Sequence, residues 1–136
     1  MVIPNGAGGY QVGDGNLNEP VIGYSSEPAT ATSSALLTAA QLTNGIILGS
    51  PGTSAASYQL PTVANLEALV SSAKVGSTFD FSVVNVDGSS SGVITLTTNT
   101  GWTLVGLMTV VATAGTAQAF RARKSGDGAW SLYRMA

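Results

Sequence analysis

From Ser77 onward the apolar positions recur at every second residue. In "STFDFSVVNV" Phe79, Phe81 and Val83 alternate with Asp80 and Ser82, and similar mixed alternation runs through "GVITLTT", "GWTLVG", "MTVVA", "TAQAFRARK" and "AWSLYRM". These six segments are predicted strands. "DGSSSG", "NTG", "TAG" and "SGDG" separate them, and Gly, Asn, Asp and Ser there supply turn conformations. Turn signals every 8–12 residues predict a sandwich or small barrel built from antiparallel neighbours rather than a parallel sheet.

Upstream, the period changes. In "LTAAQLTNG" Thr38 and Gln41 stand three apart as a capping box, Leu37 and Leu42 are placed as its hydrophobic staple, and Asn44-Gly45 is a stop. A helix of one to two turns is expected, followed by strands at "IILGS" and "ASYQLP", the second ended by Pro61. In "PTVANLEALVSSAKVG" Val63, Leu66, Leu69 and Val70 share one helical face, Thr62 can cap, and Gly76 closes the segment. This predicts one covering helix of three turns, plugging the open end of the sheet assembly. With the upstream strands the total is about eight, which suits a jelly-roll-like antiparallel β-sandwich.

Residues 1–30 follow neither period. Six glycines and three prolines oppose helix and central strand, yet Ile3, Tyr10, Leu17, Val21, Ile22 and Tyr24 are more apolar residues than a linker needs. The preferred reading is an extended arm that orders against another chain, with an unattached tail as the competing one. The chain thus divides into an arm, 1–30, and a β-body, 31–136.

Composition narrows the chemistry. Among 136 residues there is no histidine and no cysteine. That removes the commonest general base and metal ligand, every Ser-His or Cys-His pair, and any disulfide. Only 9 % of residues are charged, against about 25 % in ordinary domains, while 44 % are hydrophobic, which is not the composition of a disordered chain. A net charge of −2 gives no general attraction to nucleic acid or to an anionic membrane. No apolar run approaches the roughly 20 residues that span a bilayer, and the N-terminus lacks a secretory pattern, so a soluble, unsecreted protein is expected.

Asp80 is the conspicuous group, a carboxylate between two phenylalanines. Alternation puts it on the face away from them, just as Arg121 and Arg123 lie opposite Phe120. Asp80 can therefore pair with either arginine, within a subunit or across an interface. Structural pairing is the favoured reading over a metal ligand or a catalytic group, because the next acid, Asp87, falls in an expected hairpin turn on the other face. "GDGN" (Asp14, Asn16) and "GDG" (Asp127) lack the spaced ligands of a calcium loop and read as turns. "GAGGYQVG" has no flanking strand, helix or Lys-Ser/Thr to make a phosphate cradle, and "RARK" is too small a positive patch to hold nucleic acid. Trp102 and Trp130 could stack sugars, but alternation aligns them with Leu104 and Leu132 and favours the core. No catalytic residue, metal or cofactor is expected.

The stretch Leu36–Arg134 resembles a domain recurrent in tailed-phage structural proteins. The resemblance rests on "LLTAAQLTNGII", "YQLPTVANLEA", "VGSTFDFSVVN", the "GVITLTTNTGWTLVG" hairpin and the closing "AFRARK…AWSLYRM". It implies a small trimeric β-sandwich or jelly-roll module of a virion, serving as a capsid decoration (cement) protein, a head fibre or part of a tail fibre. A tail-fibre domain normally hangs on a long shaft, whereas this chain begins at Met1 with a short arm, so decoration is preferred. The implied partners are the major capsid protein and two further copies of the chain, with no nucleic acid and no membrane. The implied location is the outer capsid surface after synthesis in the host cytoplasm. The competing function is a receptor- or glycan-binding knob using Trp102, Trp130 or tyrosines such as Tyr58; an enzyme such as a depolymerase is least favoured, for want of paired acids.

Overall fold

The computed structural model describes residues 22–135. These form ten strands and two short helices, in the order β1 (Ala29–Ala31), β2 (Ala35–Leu36), α1 (Ala39–Thr43), β3 (Ile46–Gly49), β4 (Ala56–Gln59), α2 (Val63–Leu69), β5 (Thr78–Asn85), β6 (Ile94–Thr97), β7 (Trp102–Val105), β8 (Thr109–Val110), β9 (Thr116–Gly126) and β10 (Ala129–Arg134). The all-β expectation holds, and each predicted strand segment contains a strand. A larger sheet has the order β1-β3-β5-β9-β10-β7 and a smaller one β2-β4-β6-β8.

The antiparallel expectation needs correction. From β1 to β6 the chain crosses to the opposite sheet after every strand, so each second strand returns beside its predecessor and runs the same way; the crossing continues through β8, but β7 joins the far edge beside and parallel to β10, and β8 runs antiparallel to β6. The pairs β1–β3, β3–β5, β2–β4, β4–β6 and β7–β10 are accordingly parallel. Only β5–β9, β9–β10 and β6–β8 are antiparallel among the described residues. The connections "VDGSSSG" and "NTG" are therefore arches between sheets, not hairpins. Gly-, Ser- and Asn-rich turns suit either geometry, which is why turn spacing alone pointed to hairpins. Parallel neighbours need a crossover, and here the opposite sheet supplies it in place of a helix.

The period-two pattern determines what lies between the sheets. Ile47, Phe81, Val83, Phe120, Ala122, Trp130 and Leu132 of the larger sheet meet Tyr58, Ile94, Leu96 and Val110 of the smaller in one core. Gly49 lets the sheets close: a Cβ there would lie 2.5 Å from Ile94 Cδ1 and 3.0 Å from the Tyr58 hydroxyl.

Both helices begin as their caps dictate. Thr38 accepts a hydrogen bond from the Gln41 amide at 3.1 Å, and the Gln41 side chain accepts one from the Thr38 N–H at 2.9 Å. Leu37 and Leu42, the expected staple, are both buried. Thr62 caps α2 through the Asn65 N–H, and Val63 and Leu66 enter the core, each contributing about 2 kcal/mol by burial. The helix ends at Leu69, a turn short of expectation. Beyond it Ser77 Oγ accepts from the Lys74 N–H and Gly76, at φ +94°, turns the chain into β5. Ser71 and Ser72 favour such local backbone bonding over a further helical turn. Strand β1 lies across residue 30, where the sequence divides arm from body.

Candidate functional site

The outer face of the larger sheet carries the residues singled out from the sequence. Register places Asp80 directly opposite Arg121, with Ser82 facing Ala119 and Thr78 facing Arg123. Arg121 Nε donates to Asp80 Oδ1 at 2.7 Å and Nη2 donates to Oδ2 at 3.0 Å, a two-pronged cross-strand pair. Its hydrogen bonds hold the Asp80 carboxyl below the usual carboxylate range and push the Arg121 guanidinium up. Both side chains stay about half exposed, at 56 % and 46 %, so water screens the pair. Arg123 has no ion-pair partner among the described residues and lies beside Ser131 of β10.

Beside this charged half lies a smooth aliphatic half. Ile46 and Leu48 of β3 adjoin Ser82 and Val84 of β5, which adjoin Ala119 and Ala117 of β9. Ile46 is 40 % exposed, and no element of the described chain covers it. The outer face of the smaller sheet differs: Ser57, Gln59, Thr95, Thr97 and Thr109 make it hydroxyl- and amide-bearing.

"RARK" does not form one basic patch. Alternation keeps Arg121 and Arg123 outside and sends Lys124 to the helical end of the sandwich, where its Nζ lies 2.9 Å from Glu67 Oε1. Trp130 Nε1 donates to the same oxygen at 3.2 Å, and Lys124 Nζ also donates to the Ala73 carbonyl. Hydrogen bonds from Lys124 hold the Glu67 carboxyl below its ordinary range against the opposing effect of burial. This cluster ties α2 to the β9–β10 hairpin. Sequence reasoning did not single it out, because Glu67 and Lys124 are 57 positions apart and only the fold brings them together.

At the other end Asn85 is fully buried as a strut. Its Oδ1 accepts from the Gly88 N–H at 2.7 Å, and its Nδ2 donates to the carbonyls of Gly92 and Val111, each at 2.9 Å. The signal was legible in "NVDG", where an Asn three residues before a Gly is an Asx-type turn. Next to it Asp87 Oδ1 accepts from the Gly52 N–H, joining two arches.

The proposed sugar platforms lie elsewhere than expected for a knob. Trp130 is 1 % and Tyr58 0 % exposed, and Trp102 is 8 % exposed with its Nε1 donating to the Pro61 carbonyl at 2.7 Å. Tyr58 donates to the Ala31 carbonyl, and burial raises its phenol pKa. Trp102, Trp130, Phe79, Phe81 and Phe120 make a continuous aromatic row in the core. None of these rings presents a face to a ligand, so the knob built on them is set aside.

Of the arm residues, Ile3, Tyr10, Leu17 and Val21 lie outside the described residues. Ile22 and Tyr24 are exposed at 82 % and 105 %. Asp14, Asn16 and "GAGGYQVG" are likewise outside, while Asp127 occupies the β9–β10 turn with Gly128 at φ +63°. Among the described residues no three His, Cys, Asp or Glu side chains form a metal-binding group, and no helix is long and apolar enough to cross a membrane. Comparison of the chain with protein-family models, with curated proteins and with solved structures found no match.

Proposed function

We propose that this chain is a structural virion protein: a homotrimeric decoration (cement) protein on the outer surface of a phage capsid, tying neighbouring major capsid subunits together. The two-sheet body takes the part that a jelly-roll-like module takes in the family its sequence resembles. The observation that carries the reading is the contrast between body and N-terminal segment. The body's ion pairs are spent inside one chain, Asp80 on Arg121 and Glu67 on Lys124, while residues 22–27 lie exposed along one end of it and Ile22, at 82 % exposure, is left free. Such a body provides rigid bulk, and such a segment provides apolar anchors that add area against a partner.

Threefold self-association multiplies weak contacts by avidity and suits local threefold positions of a shell, which offer three equivalent sites. No catalysis, cofactor, nucleic acid or membrane enters this mechanism. Its test is a chain lacking residues 1–21 and carrying Ile22→Ser, cut ahead of β1 and of the Glu27 carbonyl that Asn44 holds. The truncated chain is expected to remain a soluble trimer by light scattering and to lose its coating of empty shells. Coating at the parent level would remove the arm from the account.

A further inference from the structure

One concave site among the described residues is not used by the decoration reading. A cleft of about 630 Å³ opens between the extended segment from Tyr24 to Ala29 and helix α1, with Leu69 of α2 in its wall. It is broad and open to solvent, which suits a weakly held ligand. Its walls are tied to one another, because Asn44 Nδ2 donates to the Glu27 carbonyl at 2.6 Å and β1 is paired to β3.

Those same hydrogen bonds fix what the cleft offers. Gln41 has its Oε1 occupied by the Thr38 N–H, so its amide nitrogen is left to donate. Asn44 has an N–H committed to Glu27, so its Oδ1 is left to accept. The Glu27 carboxylate forms no ion pair with any described residue and adds two acceptor oxygens. Ala40 and Leu69 provide apolar wall, and the Tyr24 ring stands fully exposed at the mouth. No lysine or arginine lines the cleft.

We infer that this cleft is a binding site for a neutral saccharide. The cleft offers acceptors and donors side by side, which suits a sugar, whose hydroxyls both donate and accept. The apolar wall and aromatic ring suit the C–H face of a pyranose, since the ring face is electron-rich and the sugar C–H edge is electron-poor. The lone carboxylate, with no cation beside it, disfavours phosphate and acidic sugars. The inference does not depend on the decoration reading: that reading is tested by removing residues 1–21 and replacing Ile22, and the cleft is built wholly from residues after them.

The test is a titration of the full-length ¹⁵N-labelled chain with glucose, galactose and N-acetylglucosamine, and with N-acetylneuraminic acid as the anionic comparison. Saturable shifts are expected at the amides of residues 24–29 and 40–44 with the neutral sugars, with a dissociation constant on the order of 1 mM. Tyr24→Ala and Glu27→Gln change exposed side chains and leave the fold intact; each is expected to weaken binding about tenfold, through the lost ring face and the lost charge-assisted acceptor respectively. The inference is overturned if those amides do not shift, if saturable shifts map elsewhere, if both variants bind like the parent, or if the acidic sugar binds better than the neutral ones. Failure here with normal shell coating would leave the decoration reading standing, and the reverse outcome would leave the cleft standing.

Discussion

Replacing Asn85 by Ala removes one side chain and breaks three hydrogen bonds to backbone groups. Gly88 loses the acceptor for its N–H, and Gly92 and Val111 lose a donor to their carbonyls. Gly88 and Gly92 are buried, so water does not readily repair them, whereas the Val111 carbonyl still accepts from the Thr113 N–H at 2.8 Å and the Thr116 hydroxyl at 3.2 Å. A buried polar group left unpaired costs about 1–3 kcal/mol, so the two buried ones together put the loss near 3 kcal/mol. Against a total stability of about 5–15 kcal/mol this is a large share. For a domain of this size it corresponds to a melting point lower by about 10 °C. Thermal and urea unfolding followed by circular dichroism measure it.

Asn85→Asp separates the two halves of the argument. It keeps the acceptor for Gly88 but aims a carboxylate at two carbonyls, so its folded-state pKa is raised. Its contribution is present below the ordinary carboxylate pKa and is lost as the pH rises. The variant should therefore be about as unstable as Asn85→Ala at neutral pH and regain stability in acid. Stability of Asn85→Ala within about 0.5 kcal/mol of the parent would refute the strut, since surface-type substitutions fall in that range.

Three further outcomes follow from the same geometry. Asp80→Ala should lower the melting point only slightly, and the effect should fade between about 0.1 M and 1 M salt because the pair is screened; an effect that persists in high salt would contradict the screened-pair reading. Asp80 and Glu67 both ionise below the usual range in the fold, so their stabilisation is complete above about pH 4 and disappears as the pH falls through the lower folded-state values. The melting point should hold between neutrality and that limit and then decline, less steeply in Glu67→Gln. Gly49→Ala should destabilise by about 1–3 kcal/mol through overpacking against Ile94 and Tyr58, measured by urea unfolding; a neutral result would mean that the sheets have room to separate.

Local signals were legible wherever one short stretch contained all of its partners. The capping box of Thr38 and Gln41, the alternation of Phe79, Asp80 and Phe81, and the turn glycines are of this kind, and each is seen in the fold. The positioning of Asp80 and Arg121 on one outer face also follows from alternation within each strand. Their direct opposition needed the β5–β9 register, which no local pattern encodes.

The crossings between sheets were not legible, because an arch and a hairpin use the same small and polar residues. One consequence was the antiparallel expectation for β3, β4 and β6, whose actual neighbours lie two strands away in sequence. The Glu67–Lys124–Trp130 cluster and the saccharide cleft were hidden for a related reason. Each is assembled from segments that meet only after α1 and α2 have closed one end of the sandwich.

The central claim, that the chain is a trimer that coats a capsid, is tested most directly by electron cryomicroscopy of empty shells of its parent phage incubated with the purified full-length protein. The account predicts three-lobed densities on the outer surface at local threefold positions, each holding three copies of the 13.6 kDa chain. Bare shells at saturating protein, or densities holding a single copy, would contradict it.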